Sequence, residues 1–433
     1  MRHVRLNRIW SWLAAWGVLT VCGSILHHIL WNAQSAGRGT LTNTPLLESA
    51  GNCIHMLIAP GWIALRLISR SWPTGSWDGP VTANALGWAC WLLALWLVLR
   101  ARRAVLARAQ RTGMAPVDAA REFDPSRRRF LVDAPIAAVT IGGAASMVKG
   151  EFLDPWDLQV RRYSVPIRDL PASLDGLRLV QLSDTHLGPR IPAAFIRTAV
   201  QIAVDLRPDL FCLTGDYIHN GKGFIAPAAE LFTPLAATRK PIVGVLGNHD
   251  WYGDGPAMSR ALEAIGVRMI DNARVYLDAA TRSLTYQAPD SPALCIAGLG
   301  DMLTDWVDAA AAFSGLDEAV PRLLLAHNPD TADVVMGHVP FLRVGSYAKG
   351  FIPAGPKPPR LDLVLSGHTH GGQVSLPLIG APLVPSRLGQ KYAGGLIQAT
   401  GFRLCVSRGI GMSMLPIRFG VPPELVEITL VRA

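Results

Sequence analysis

The chain of 433 residues is poor in charge: Asp, Glu, Lys and Arg make up 17% of it, below the roughly 25% of an average soluble protein. Half of its residues are hydrophobic, so part of it is solvated by something other than water. Cysteine is also sparse. The six present include no CxxC pair, so neither a zinc knuckle nor a disulfide framework is indicated. Cys22, Cys53 and Cys90 fall in apolar N-terminal segments, and Cys212 and Cys295 in expected core strands. No internal repeat and no low-complexity segment occurs, which leaves an ordinary globular part beside whatever the apolar excess forms.

That excess is concentrated. Ten of the 13 Trp lie in the first 100 residues. Residues 1–163 carry 18 Lys and Arg against 9 Asp and Glu, whereas residues 164–433 carry 23 of each, so the whole net charge of +9 sits in the N-terminal part. The basic residues flank apolar runs, which is the placement of membrane topology signals, and no nucleic-acid partner is expected.

Residues 9–31 hold no charged side chain over 23 positions, enough helix to cross a hydrocarbon core of about 30 Å at 1.5 Å per residue. Residues 81–99 form a second such run, with Trp88, Trp91 and Trp96 suited to the wet boundary. Between them, residues 46–68 are apolar but contain Glu48, Asn52, His55, Pro60 and Arg66; they either cross as a third span or lie at the interface. Nine Arg against three acids between Arg100 and Arg129 belong on the cytoplasmic side, as do Arg2, Arg5 and Arg8. An even number of spans satisfies both clusters and favours two. The run Ser126-Arg127-Arg128-Arg129-Phe130-Leu131, followed by apolar Ala134 to Val148, resembles a twin-arginine export signal; a juxtamembrane basic run before a short linker helix is the other reading. The expected organisation is a transmembrane region over 1–99, an Arg-rich linker over 100–162 and a catalytic domain over 163–433.

From about Tyr163 the texture becomes short apolar runs separated by amphipathic stretches, the α/β pattern. Strands are expected at Leu177–Leu182, Leu210–Thr214, Ile242–Leu246, Leu294–Ala297, Leu323–Ala326 and Leu361–Leu365, and helices around Ala193–Asp205 and Pro256–Ile265. Five clusters of metal-competent residues directly follow these strands: Asp184-Thr185-His186, Gly215-Asp216, Gly247-Asn248-His249-Asp250, His327-Asn328 and Gly367-His368-Thr369-His370. Functional groups gather where parallel strands end, because that rim is open while the faces are covered. Alone, Gly-Asp is an ordinary turn and Asn-His-Asp could be a helix N-cap. Together the clusters exceed what one ion needs. Imidazole, carboxylate and amide donors without thiolate suit Mn, Fe, Zn, Ni or Co, and two such ions are the arrangement used for displacement at phosphorus.

In this order the five clusters resemble the calcineurin-like metallophosphoesterase superfamily, over about Tyr163 to Pro422. The extension from Gly367 to Gln373 is similar to the bacterial membrane-associated or exported phosphodiesterases of that superfamily. The resemblance implies a four-layer α/β/β/α sandwich, here preceded by a helical transmembrane region. It implies that Asp184, His186 and His370 hold one metal, that Asn248, His327 and His368 hold the other, and that Asp216 bridges them. A hydroxide between the ions would attack phosphorus, with His249 at the leaving oxygen. No second acid follows Asp216 closely, so what supports that loop is open. Asp250 reads as an orienting group, His219 as an incidental loop residue, and Lys349 and Lys357 as solvated or as part of a substrate wall over 343–359. The expected activity is hydrolysis of phosphodiesters, lipid-linked ones among them, by a multi-pass protein of the bacterial inner membrane with its catalytic domain on the periplasmic side. The alternatives are a pyrophosphohydrolase of an acylated UDP-sugar and a non-catalytic membrane module.

Overall fold

A computed structural model of the chain describes residues 149–343, 348–413 and 417–433. The spans expected at 9–31, 46–68 and 81–99, and nearly all of the linker, lie outside these residues. Among the described residues no helix is long and apolar enough to cross a membrane.

Two sheets carry the fold of the unit Phe152–Ala433. The first has the order β1 (Gln159–Ile167), β15 (Glu424–Arg432), β2 (Leu177–Leu182), β3 (Leu210–Leu213), β4 (Ile242–Gly244) and β5 (Arg268–Met269). The second has the order β13 (Gly395–Gln398), β14 (Arg403–Val406), β12 (Leu363–Ser366), β10 (Arg322–Leu325), β8 (Ala293–Gly298), β6 (Ala273–Asp278) and β7 (Leu284–Thr285). A separate pair, β9 (Trp306–Asp308) and β11 (Gly350–Ile352), stands apart from both. All six expected strands and both expected helices are present, the helices at Ala193–Asp205 and Gly255–Ala264.

Strands buried on both faces read as continuous apolar runs, and each run is divided between two cores by the two-residue period of the pleat. Leu177, Leu179, Leu210 and Cys212 pack with Ile296, Leu323, Leu325, Leu363 and Leu365 between the sheets. The alternate residues Val180, Leu182, Phe211 and Leu213 pack with Ile196, Val200, Leu235 and Leu262 of the helices outside the first sheet. On the other side Leu324, Val364 and Leu404 pack with Ala312, Phe313 and Val335. The result is the expected α/β/β/α layering. Each buried Leu contributes about 1.5–3 kcal/mol by leaving water, which fixes the strand ends that carry the site.

Candidate metal centre

β2, β3 and β4 run parallel in one sheet, and β8, β10, β12 and β14 run parallel in the other. The five clusters follow the C-terminal ends of β2, β3, β4, β10 and β12, and the structure brings all five together. Asp184, His186, Asp216, Asn248, His327 and His370 are buried, while His368 and His249 are half-buried. Five of these residues turn sharply as they leave their strands: φ is 53° at Asp184, 48° at His186, 56° at Asp216, 69° at His368 and 50° at His370. The left-handed region costs a residue with a Cβ about 1–3 kcal/mol, and such cost is tolerated where surrounding bonds hold the chain to a function. Here the loops hold one another. Asp184 N–H donates to Gly215 O at 2.9 Å, His186 N–H to Asp216 O at 3.0 Å, and Gly367 N–H to His327 O at 2.9 Å.

The donor atoms of the expected ligands form two groups, Asp184, His186 and His370 in one and Asp216, His327 and His368 in the other, each within 4.8 Å, and His186, His219 and His249 form a third that shares His186. Asp184 Oδ1 lies 3.3 Å from His370 Nε2, and His186 Nε2 lies 2.9 Å from His370 Nε2. His368 Nδ1 lies 3.0 Å from Asn248 Oδ1. Asp216 Oδ2 joins the groups, at 3.4 Å from His186 Nε2 and 3.2 Å from His327 Nε2. Donors about 3 Å apart are what two ligands present to one ion that each approaches to about 2.0–2.2 Å.

The proton positions strengthen the fit. A carbonyl only accepts, so the 2.7 Å contact of His327 Nδ1 with Thr214 O puts a proton on Nδ1 and turns Nε2 toward Asp216. Against the effect of burial, the charge of Asp216 raises this imidazole well above its ordinary pKa until a cation takes the proton's place. That buried Nε2 has no hydrogen-bond partner, and neither has the buried Nδ1 of His186. Burial holds the His186 and His370 imidazoles well below their ordinary pKa, the latter helped by the charge of Arg418. Burial and the neighbouring His327 bring His368 down to about 3. Neutral imidazoles crowded against buried carboxylates are a cation site in waiting. These residues therefore fit a pair of divalent ions.

Two glycines let the carboxylates in. A Cβ on Gly367 would stand 2.0 Å from Ser183 Oγ and 2.2 Å from Asp184 Oδ2, and one on Gly247 would stand 2.2 Å from Asp216 Oδ1. Asp250 supplies the support that sequence left open at the second cluster. Its Oδ2 accepts from the N–H groups of Asp216 and Gly247 and its Oδ1 from Tyr217, each at 2.9 Å, which is the orienting part expected of it.

Three residues differ from expectation. His219 is not incidental: its ring stacks on His249 with centroids 5.0 Å apart, and its carbonyl accepts from His249 Nδ1 at 2.5 Å. Lys349 is partly solvated, its side chain 41% exposed, but it is not free. Its ammonium pairs with Asp305 at 2.8 Å and sits 4.1 Å over the Trp251 ring. Arg418, which no motif announced, is fully buried beside His370 Nδ1 at 3.3 Å and donates to the carbonyls of Arg408, Gly409, Gly411 and Val421.

Burial, followed by repulsion from Asp216, raises the Asp184 carboxyl to about 6, against the opposing pull of His327. A protonated Asp184 offers no charge to an ion, so metal affinity should fall as pH drops through about 6, well above the ordinary Asp value. Calorimetric titration of chelated protein with Mn or Zn between pH 5 and pH 8 checks this, the loss appearing on the acid side (roughly tenfold per pH unit if one proton is displaced).

A family model described as calcineurin-like phosphoesterase matches residues 177–372. The metallophosphoesterase YkuE of Bacillus subtilis is 30% identical over 312 residues, which cover 70% of this chain and 97% of that protein. The phosphodiesterase YaeI of Escherichia coli is 27% identical over 311 residues, covering 71% and 99%. The UDP-2,3-diacylglucosamine pyrophosphatase LpxG of Chlamydia trachomatis is 26% identical over 341 residues, covering 68% and 95%. With the site's donor set and these matches, the chain belongs to the calcineurin-like metallophosphoesterases, hydrolases of phosphate esters that use two divalent metal ions.

Proposed function

We propose that this protein hydrolyses phosphodiesters at a membrane, with Asp184, His186 and His370 holding one ion, Asn248, His327 and His368 the other, and Asp216 both. The observation that carries the assignment is the single oxygen Asp216 Oδ2, within 3.4 Å of one group's imidazole and 3.2 Å of the other's. When bound, two ions supply positive charge for the phosphate oxygens and acidify a water for in-line attack. The protein's own residues do the rest. Asp250 fixes the Asp216 loop, and the Asp216 Oδ1 atom is already engaged by the His249 N–H at 2.8 Å, which leaves Oδ2 for the metals.

His249 Nδ1–H donates a hydrogen bond to the His219 carbonyl, so its Nε2, 3.3 Å from Ser413 Oγ, is the nitrogen that faces the site. As an imidazolium it can deliver the Nε2 proton to the departing oxygen. An alkyl ester suits this arrangement better than a pyrophosphate, because a leaving alkoxide is a strong base that needs that proton and a leaving phosphate is a weak one.

On this proposal, spans at 9–31 and 81–99 and the twin-arginine-like run carry the domain to the outer side of a bacterial inner membrane, beside lipid-linked substrates. The support is sequence alone: the arginine clusters and the uncharged runs. A periplasm-dependent reporter fused after Ala433 should be active; activity of a cytoplasm-only reporter in its place contradicts this topology. A second reading is favoured by the Chlamydia relatives named as pyrophosphatases of an acylated UDP-sugar. Full-length protein given bis(p-nitrophenyl) phosphate, p-nitrophenyl phosphate and a UDP-sugar separates the two: diester cleavage in preference to the pyrophosphate is expected, and cleavage of the pyrophosphate alone overturns the first reading.

A further inference from the structure

Beyond the metal centre, the most unusual surface is the turn that follows His370. Leu376 and Gly380 exchange backbone hydrogen bonds of 2.8 and 2.9 Å, and the loop they close presents Pro377, Leu378 and Ile379. Leu378 is completely exposed and sits at φ 67°, and Ile379 is 61% exposed. An apolar side chain held in water on a left-handed backbone gains nothing from folding. Such a tip is a candidate contact surface.

The tip is rigidly mounted. Gln390 donates to Ile379 O at 3.2 Å, Val374 bridges Phe419, and Ser375 N–H donates to Phe419 O at 2.8 Å. The next residue, Gly420, donates its N–H to Asp154 at 2.7 Å. That bond brings the start of the unit to the same corner, where Phe152 and Leu153 are 48% and 59% exposed. In sequence, Phe152 closely follows the apolar run Ala134 to Val148.

Charge is skewed in the same way. Between Arg343 and Pro423 there are nine Lys and Arg and one acid, Asp362; of the nine, Lys349, Arg360 and Arg408 are paired with Asp305, Asp362 and Glu424, and Arg418 is buried. Arg387 and Lys391, on either side of Gln390, are exposed. The nearby Asp330 is buried and accepts from the Arg387 backbone; at the Phe152 corner Asp157 is an exposed acid, and Glu151 precedes Phe152 in sequence.

The tip also leads into the site. Gln373, three residues after His370, accepts from Ser413 N–H at 2.9 Å, and Ser413 Oγ lies 3.3 Å from His249 Nε2.

From these observations we infer that the Leu376–Gly380 turn, with Phe152 and Leu153, docks on an anionic phospholipid surface, so that a lipid-linked phosphate ester reaches the metal centre without leaving the bilayer. Apolar side chains entering the headgroup boundary and flanking cations attracted to anionic lipid are the two forces such docking combines. The inference rests on the membrane-proximal reading above but has its own test.

Full-length protein with Cys22, Cys53 and Cys90 changed to Ala is reconstituted in vesicles, carrying a polarity-sensitive dye at Leu378→Cys or, as control, at exposed Ala288→Cys beyond β7 at the other edge of the second sheet. The dye at 378 should shift to the blue and be quenched by spin-labelled lipid when phosphatidylglycerol is present, less so in phosphatidylcholine alone or high salt, and the dye at 288 should do neither. The pair Leu378→Ser and Ile379→Ser should slow cleavage of a vesicle-embedded phosphodiester about a hundredfold, as expected from losing two buried aliphatic contacts at about tenfold each, while soluble bis(p-nitrophenyl) phosphate turns over as before. Equal behaviour of the two dyes overturns the inference, as does a shift at 378 that depends on added unlabelled protein, which would assign the tip to a second copy. Loss of soluble-ester turnover in wild-type protein would instead count against the proposed activity.

Discussion

Asp216→Ala loses both metal ions at once and lowers kcat by on the order of 10⁴-fold, because the one oxygen shared between the two groups is removed. Loss of Asp184 or His327 alone should spare one ion. Loss of Asp216 should spare neither, since His186 Nε2 and His327 Nε2 lie 3.4 and 3.2 Å from the same Oδ2. Burial opposes ionisation of this carboxyl, yet the charges of His327 and His249 hold it well below the usual carboxylate range, so in the metal-free protein it is already the anion an ion would meet. Elemental analysis of the purified variant beside wild type, with kcat on a soluble diester, checks the prediction. Two ions retained in Asp216→Ala would refute the bridging assignment.

His249→Ala behaves differently. Both ions should remain, because the metal-facing donors are untouched, while kcat drops by about 10²–10³-fold, the usual worth of a positioned general acid. The size of the loss should depend on the leaving group. p-Nitrophenolate departs without a proton, whereas an alkoxide needs one, so an alkyl phosphodiester should lose more than bis(p-nitrophenyl) phosphate. A uniform loss across leaving groups, with KM raised, would make His249 a substrate-binding group instead. His219 bears on this result. Its carbonyl sets the His249 tautomer and its ring stacks 5.0 Å away, so the orientation of Nε2 is built by two residues.

What the sequence disclosed followed from burial. Strands such as Leu177–Leu182 and Leu363–Ser366 are apolar on both faces, and their runs are visible without alignment; the five polar clusters stand out because they interrupt those runs. β1 and β15 were not visible, for a physical reason. β1 is an edge strand with Arg161, Arg162 and Pro166 in it, and β15 carries Glu424 and Glu427, buried against Arg408 and Arg162. Such paired charges read as surface until the partner strand is known.

The ligand types were legible at the site, but not their support. Asp250 reaches back 33 residues to hold the Tyr217 N–H, and Arg418 closes on His370 from 48 residues away. His219 could have been suspected only from its place three residues after Asp216. Lys349 is partly solvated, as a lysine in a Gly- and Pro-rich loop suggests, but its partners Asp305 and Trp251 are distant in sequence and so were not legible.

The central claim is a two-ion centre in which neither ion works alone. Full-length protein is stripped with a chelator and titrated with Mn or Zn while bis(p-nitrophenyl) phosphate hydrolysis and bound metal are followed together. Activity that stays near zero through the first equivalent and rises to its plateau with the second is the predicted result; full activity in the chelator, or a plateau at one ion per chain, would contradict the account.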